Sequence, residues 1–110
     1  MRTPDEVYRA NKAKGFWDEP GALGQLAMKI ALIHTELSEA LEAMRDGTAW
    51  NPSEKIPLFT KLEEELADVV IRILDCAGGA QLTSVFDIEG AVEAKLRYNE
   101  SRPHKHGKAF

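Results

Sequence analysis

Cysteine is all but missing from the chain: Cys76 is the only one in 110 residues, so no intramolecular disulfide framework can hold the fold. No apolar run approaches the roughly 18 residues needed to cross a bilayer, and the start shows no basic segment leading into an apolar stretch. Together these absences predict a soluble protein of a reducing compartment, most simply the cytoplasm, with no membrane partner. Strand signals are equally scarce. There is no sustained period-two alternation and there are few β-branched runs, nor is there an internal repeat or low-complexity tract. The length suits one domain, residues 1–110, large enough to bury a core of its own.

The formal net charge is −4, and its distribution says more than its total. Residues 1–94 carry 9 basic and 17 acidic side chains, whereas residues 95–110 carry 5 basic and 1 acidic. An acidic body lacks the extended basic surface that duplex nucleic acid requires, which argues against that partner. A short basic tail beside clustered carboxylates suits instead a small polyanion carried in with a metal ion.

Helix signals dominate, and the fold class they predict is all-α. Thr3-Pro4-Asp5-Glu6 reads as an N-cap, a proline at the first helical position and acids in the first turn, so a first helix covers about 4–14 and stops at Gly15. A loop rich in aromatics and breakers, 15–21, leads to a second helix from Ala22 to Asp46, ended by Gly47. The connector 47–57 holds Pro52 and Pro57, with room for a helical turn around Ser53-Glu54-Lys55. A third helix is expected from Leu58 to Ala77, stopped by Gly78-Gly79. Asp87 caps a fourth that reaches Ser101, since Arg102 precedes Pro103 and is biased out of the helical region. Residues 103–110 form a basic tail.

At 100° per residue, Leu23, Leu26, Ile30, Ile33, Leu37, Leu41 and Met44 make one apolar stripe of the second helix, its expected core face. Met28, Leu32 and Ala43 make a second apolar side, and Glu36 and Glu39 sit inside it. A helix apolar on two sides calls for a partner surface. On the third helix Leu58, Phe59, Leu62, Leu66, Val69, Val70, Ile73, Leu74 and Ala77 share one broad side, while Glu64, Glu65, Asp68, Arg72 and Asp75 line the other. If the two helices pack side by side, Glu36, Glu39, Glu65 and Asp68 converge. Four like charges in one space repel unless a divalent cation joins them, and all-oxygen ligation selects Mg²⁺ or Mn²⁺. Lys95, Asn99 and Arg102 form one stripe of the fourth helix, suited to phosphate. Cys76 reads as a structural thiol and His34 as a packed or interface histidine.

Glu36-x-x-Glu39 followed by Glu65-x-x-Asp68 on consecutive long helices, with Lys95-x-x-x-Asn99-x-x-Arg102-Pro103 downstream, resembles the all-α nucleoside triphosphate pyrophosphohydrolases of the MazG type. The stretches around these residues and Lys105-His106-Gly107-Lys108 extend the resemblance over most of residues 15–108. It implies a four-helix-bundle type fold completed by oligomerisation, as a homodimer or homotetramer. It also implies Mg²⁺-dependent hydrolysis of a nucleoside triphosphate to monophosphate and pyrophosphate. Carried over by position, Glu36, Glu39, Glu65 and Asp68 would be the metal ligands, one of them orienting the attacking water. Lys95 and Asn99 would contact the nucleotide, joined by Arg102 and Lys108, with Trp17 and Trp50 as candidates for stacking on a base. Two alternatives stand beside this expectation: a phosphoribosyl-ATP pyrophosphohydrolase, and a helical dimerisation or regulatory module without turnover.

Overall fold

The computed structural model describes residues 1–17, 22–82 and 84–103. Among them the chain forms four helices: α1 (Pro4–Ala13), α2 (Ala22–Arg45), α3 (Lys61–Ala80) and α4 (Ile88–Glu100). The described residues contain no strand, only an isolated bridge between Pro52 and Thr60. None of their helices is long and apolar enough to cross a membrane.

Local chemistry sets the helix ends. The Glu6 amide donates to Thr3 Oγ1 at 3.2 Å and the Thr3 amide to Glu6 Oε1 at 3.0 Å, a reciprocal cap that satisfies amides the first turn leaves unpaired. Just past α1 and α2, Gly15 and Gly47 take φ values of 87° and 78°, a left-handed conformation that costs glycine little. The third helix departs from expectation at both ends. It starts at Lys61, not Leu58, because Thr60 and Glu63 form a second reciprocal cap, at 3.1 and 2.9 Å. Leu58 is left 94 % exposed in the connector. No helical turn forms around Ser53; its hydroxyl instead accepts the Lys55 and Ile56 amides at 3.2 and 3.1 Å.

Nor does α3 stop at Gly78-Gly79. A Cβ on Gly78 would strike the Pro4 carbonyl oxygen and Tyr8 Cβ, and one on Gly79 would strike the Trp17 ring. These glycines let α1 and the residues after it approach the α3 backbone, and close approach outweighs helix propensity. Propensity alone would have Gly78→Ala stabilise the helix by up to about 1 kcal/mol. The packing reverses the sign: Gly78→Ala is expected to cost about 1–3 kcal/mol by overpacking, read as a lowered urea midpoint. An unchanged or raised midpoint would refute the close-approach explanation.

α3 packs against both α1 and α2, burying Val69, Leu74 and Ala77 with Val7 and Tyr8 of α1 and Ala40 and Ala43 of α2. The face α2 turns inward is thus centred on Ala40, Ala43 and the buried Lys29 and takes in only part of the second apolar side, since Met28 is about half exposed. Much of the stripe expected to be core lies outside: Ile30, Leu37, Leu41 and Met44 are each about half exposed, whereas Leu26 and Ile33 are partly buried, and Leu23 falls among side chains the structure does not describe. The reason is geometric. Asp75 and Lys29 pair across the α2–α3 contact, and the chain folds back on Ala43, whose carbonyl accepts the Thr48 and Ala49 amides at 3.1 Å. Small and paired residues thereby take the interior.

α4 begins behind Asp87, whose Oδ1 accepts the Gly90 amide at 3.0 Å, and contributes no buried residue. Among the described residues the packed body of one chain is thus three helices, α1 to α3, and not a four-helix bundle. An apolar cleft of about 320 Å³ lies among Val70, Ile73 and Leu74 of α3 and Ile88 and Val92 of α4.

Candidate functional site

Two neighbouring helices bring three carboxylates together. One oxygen from each of Glu36, Glu65 and Asp68 lies within 4.8 Å of the others. Glu36 comes from the inward side of α2. Glu65 and Asp68 stand one turn apart on α3, a spacing that puts both on one face. Glu39 stays outside this group and is exposed, although its charge still acts on Glu65. Three of the four expected carboxylates converge.

The group is under electrostatic stress. Burial first, then Glu64, Asp68, Glu39 and Glu36, push the Glu65 carboxyl above its ordinary value. Burial first, then Glu36 and Glu64, push Asp68 up, against the opposing pull of Lys55 and Arg72. Both groups hold protons more tightly in the folded chain than in the unfolded one. Stability therefore falls as pH rises from the ordinary carboxyl range, about 4, through the raised values, above which the repulsion is fully expressed. Asp68→Asn removes one of these charges. With a chelator present, its thermal midpoint is expected to gain on the wild type as pH rises from about 4 to 7. A difference independent of pH would show that Asp68 carries no such stress.

Two cations attend the carboxylates. Arg72 Nε lies 3.2 Å from Glu36 Oε1, so it pairs across the helices and not with Asp68 or Asp75 on its own. Lys55 comes from the connector, where the Ser53 hydroxyl also donates to Glu64 Oε1 and ties the loop to α3. Lys55 lines two clefts. One, of about 300 Å³, holds Asn11, Phe16, Glu36, Asp68, Ile71 and Arg72; the other, of about 380 Å³, holds Thr48, Asn51, Lys61, Glu64 and Glu65 among its walls. A larger cleft of about 460 Å³ between the connector and α3 is walled by Ile56, Phe59, Leu66 and Val70 and holds only Glu63 as a charged group, too little to carry chemistry.

The other expected site residues lie elsewhere. Lys95 and Asn99 line a groove of α4 with Ile88, Val92 and Leu96. Lys95 Nζ sits 4.6 Å and Arg102 Cζ 5.5 Å from the centre of the Tyr98 ring. Among the described residues this groove shares no lining residue with the clefts that hold the carboxylates. Lys108 lies outside the described residues, as do His104 and His106.

Trp17 is not an open stacking surface. Its Nε1 donates to Asp75 Oδ1 at 2.8 Å, its ring meets Tyr8 edge-on at 5.0 Å between centroids, and Lys29 Nζ lies 4.5 Å from the ring centre. Asp75, expected on the solvated side of α3, is fully buried. Its Oδ2 faces Lys29 Nζ at 3.6 Å, an ion pair without a hydrogen bond. Cys76 is half-buried, and its thiol is pushed up by burial and by Asp75, as suits an inert structural thiol. His34 is exposed and not packed within the chain; Trp50 is exposed as well.

Comparison with protein-family models, with curated proteins and with solved structures gives no match for this chain.

Proposed function

We propose that the protein is a divalent-cation-dependent pyrophosphohydrolase that splits nucleoside triphosphates into monophosphate and pyrophosphate. The observation that carries this reading is the convergence of Glu36, Glu65 and Asp68, with Lys55 and Arg72 beside them. The donor set fits a hard cation: it is all oxygen, without His or Cys, and its repulsion is of the kind a divalent ion relieves. Glu36, Glu65 and Asp68 would hold Mg²⁺ or Mn²⁺, which supplies charge neutralisation for a polyphosphate.

The chain's own groups do the rest. Lys55 and Arg72 bind phosphate oxygens and offset the charge that grows on the leaving pyrophosphate. A carboxylate of the cluster orients a water against the α-phosphorus and takes up its proton as the new P–O bond forms and the bond to the bridging oxygen breaks. No covalent nucleophile is needed. The uncovered stripe of Ile30, Leu37, Leu41 and Met44 supports a homodimer or homotetramer. In such an assembly Lys95, Asn99 and Arg102 of one copy would reach the carboxylates of another, where Lys95 and Arg102 add to the two cations, Lys55 and Arg72, that a single chain supplies.

The test is a nucleotide panel incubated with Mg²⁺ and with chelator, products resolved by anion exchange. Monophosphate plus pyrophosphate, only with the cation, supports the proposal; orthophosphate plus diphosphate, or no turnover of any nucleotide, overturns it.

A further inference from the structure

Among the described residues Phe16 is the one large aromatic side chain on the cleft that also holds Glu36, Asp68, Lys55 and Arg72, and it is 52 % exposed. An exposed phenyl on a loop is ordinarily free to collapse onto the nearest apolar surface. This one is held by its backbone. The Phe16 carbonyl accepts a hydrogen bond of 2.7 Å from Lys29 Nζ, and its amide donates to the Asn11 carbonyl at 3.1 Å. The next residue is fixed as firmly: the Trp17 indole donates to buried Asp75, and its carbonyl accepts from Gln25 Nε2 at 3.1 Å.

Lys29 and Asp75 have side chains only 6 % and 0 % exposed. Taking two such charges out of water is costly, and what they grip is the Phe16 carbonyl, through Lys29, and the Trp17 indole, through Asp75. The consequence is a flat apolar ring at the rim of a cleft whose other walls are anionic and cationic. A small ligand that fits both halves has a charged polyphosphate end and a flat ring at the other.

Resting on the pyrophosphohydrolase reading, we propose that Phe16 is the platform on which the nucleobase of the substrate stacks, presented to the cleft by the buried Lys29–Asp75 pair. The notion of a stacking aromatic thus moves from Trp17, whose ring is spent on internal packing, to its neighbour. Every base has a π face, so Phe16 contributes affinity for nucleotides as a class and leaves the choice among bases to other groups.

Calorimetric titration of the full chain with Mg²⁺ tests this, using an α,β-methylene nucleoside triphosphate, which cannot be cleaved at the bond in question, and inorganic tripolyphosphate, which has no ring. The wild type is expected to bind the nucleotide analogue about tenfold more tightly than tripolyphosphate, as one base–aromatic stack supplies. Phe16→Ala should bring the two affinities within about twofold of each other by weakening the analogue alone, whereas Phe16→Trp should keep the gap. A side chain that merely supported the fold would change both ligands together. If Phe16→Ala keeps the wild-type gap, or the wild type shows none, stacking is overturned while the enzyme reading stands; if the wild type binds neither ligand, both fall.

Discussion

Replacing Glu65 by Gln is expected to lower Mg²⁺-dependent pyrophosphate release by about 100-fold or more, the loss of roughly 3 kcal/mol of transition-state stabilisation. The substitution keeps the volume and removes one charge from the group formed with Glu36 and Asp68. It also relieves repulsion, since burial and four neighbouring carboxylates oppose ionisation of Glu65. Activity should therefore fall while thermal stability in chelator holds or rises, which separates loss of chemistry from loss of fold. Glu39→Gln offers the contrast: Glu39 is exposed and outside the group, and its replacement should reduce turnover far less. Turnover of the Glu65 variant within threefold of wild type would remove the three-carboxylate group from the chemistry.

The second large effect concerns stability. Asp75→Ala is expected to cost about 3–5 kcal/mol, because it strands the buried Lys29 ammonium without its counter-charge. It also deprives the Trp17 indole of its hydrogen-bond acceptor. Lys29→Met should be comparably damaging, since it leaves the carboxylate fully buried and unpaired. The double variant Lys29→Met, Asp75→Leu removes both charges and should recover much of the loss. Urea denaturation followed by tryptophan fluorescence measures all three, and additive losses in the double variant would deny the coupling.

What could be read beforehand divides along physical lines. Caps are local, so Thr3 with Glu6 announced the start of α1, and the helical class was plain from periodicity. The carboxylate pairs were legible because residues three apart share a face wherever the helix lies. Thr60 with Glu63 is as clear a cap, yet the apolar Leu58 and Phe59 before it drew the expected boundary three residues too early. Gly78 and Gly79 look like a stop until the partner surface is known. They serve Tyr8 and Trp17, which are distant in sequence. Periodicity likewise tells which sides of α2 are apolar but not which side another element covers, so Ile30 and Leu37 read as core although neither enters it. Lys29, aligned with Glu36 on the inner side of α2, was a signal for a buried partner, and that partner proved to be Asp75. Lys55 could not have been found by helical spacing, because it reaches the site from a connector.

The fourth helix has thirteen residues and none of them is buried, and a segment of that length is barely able to keep its shape in water unaided. Its amide protons should exchange through local fraying, long before the body of the molecule opens. Residues 88–100 thus act as a built-in gauge: protection there reports that some other surface is resting on the helix, and the gain in protection with protein concentration measures how firmly.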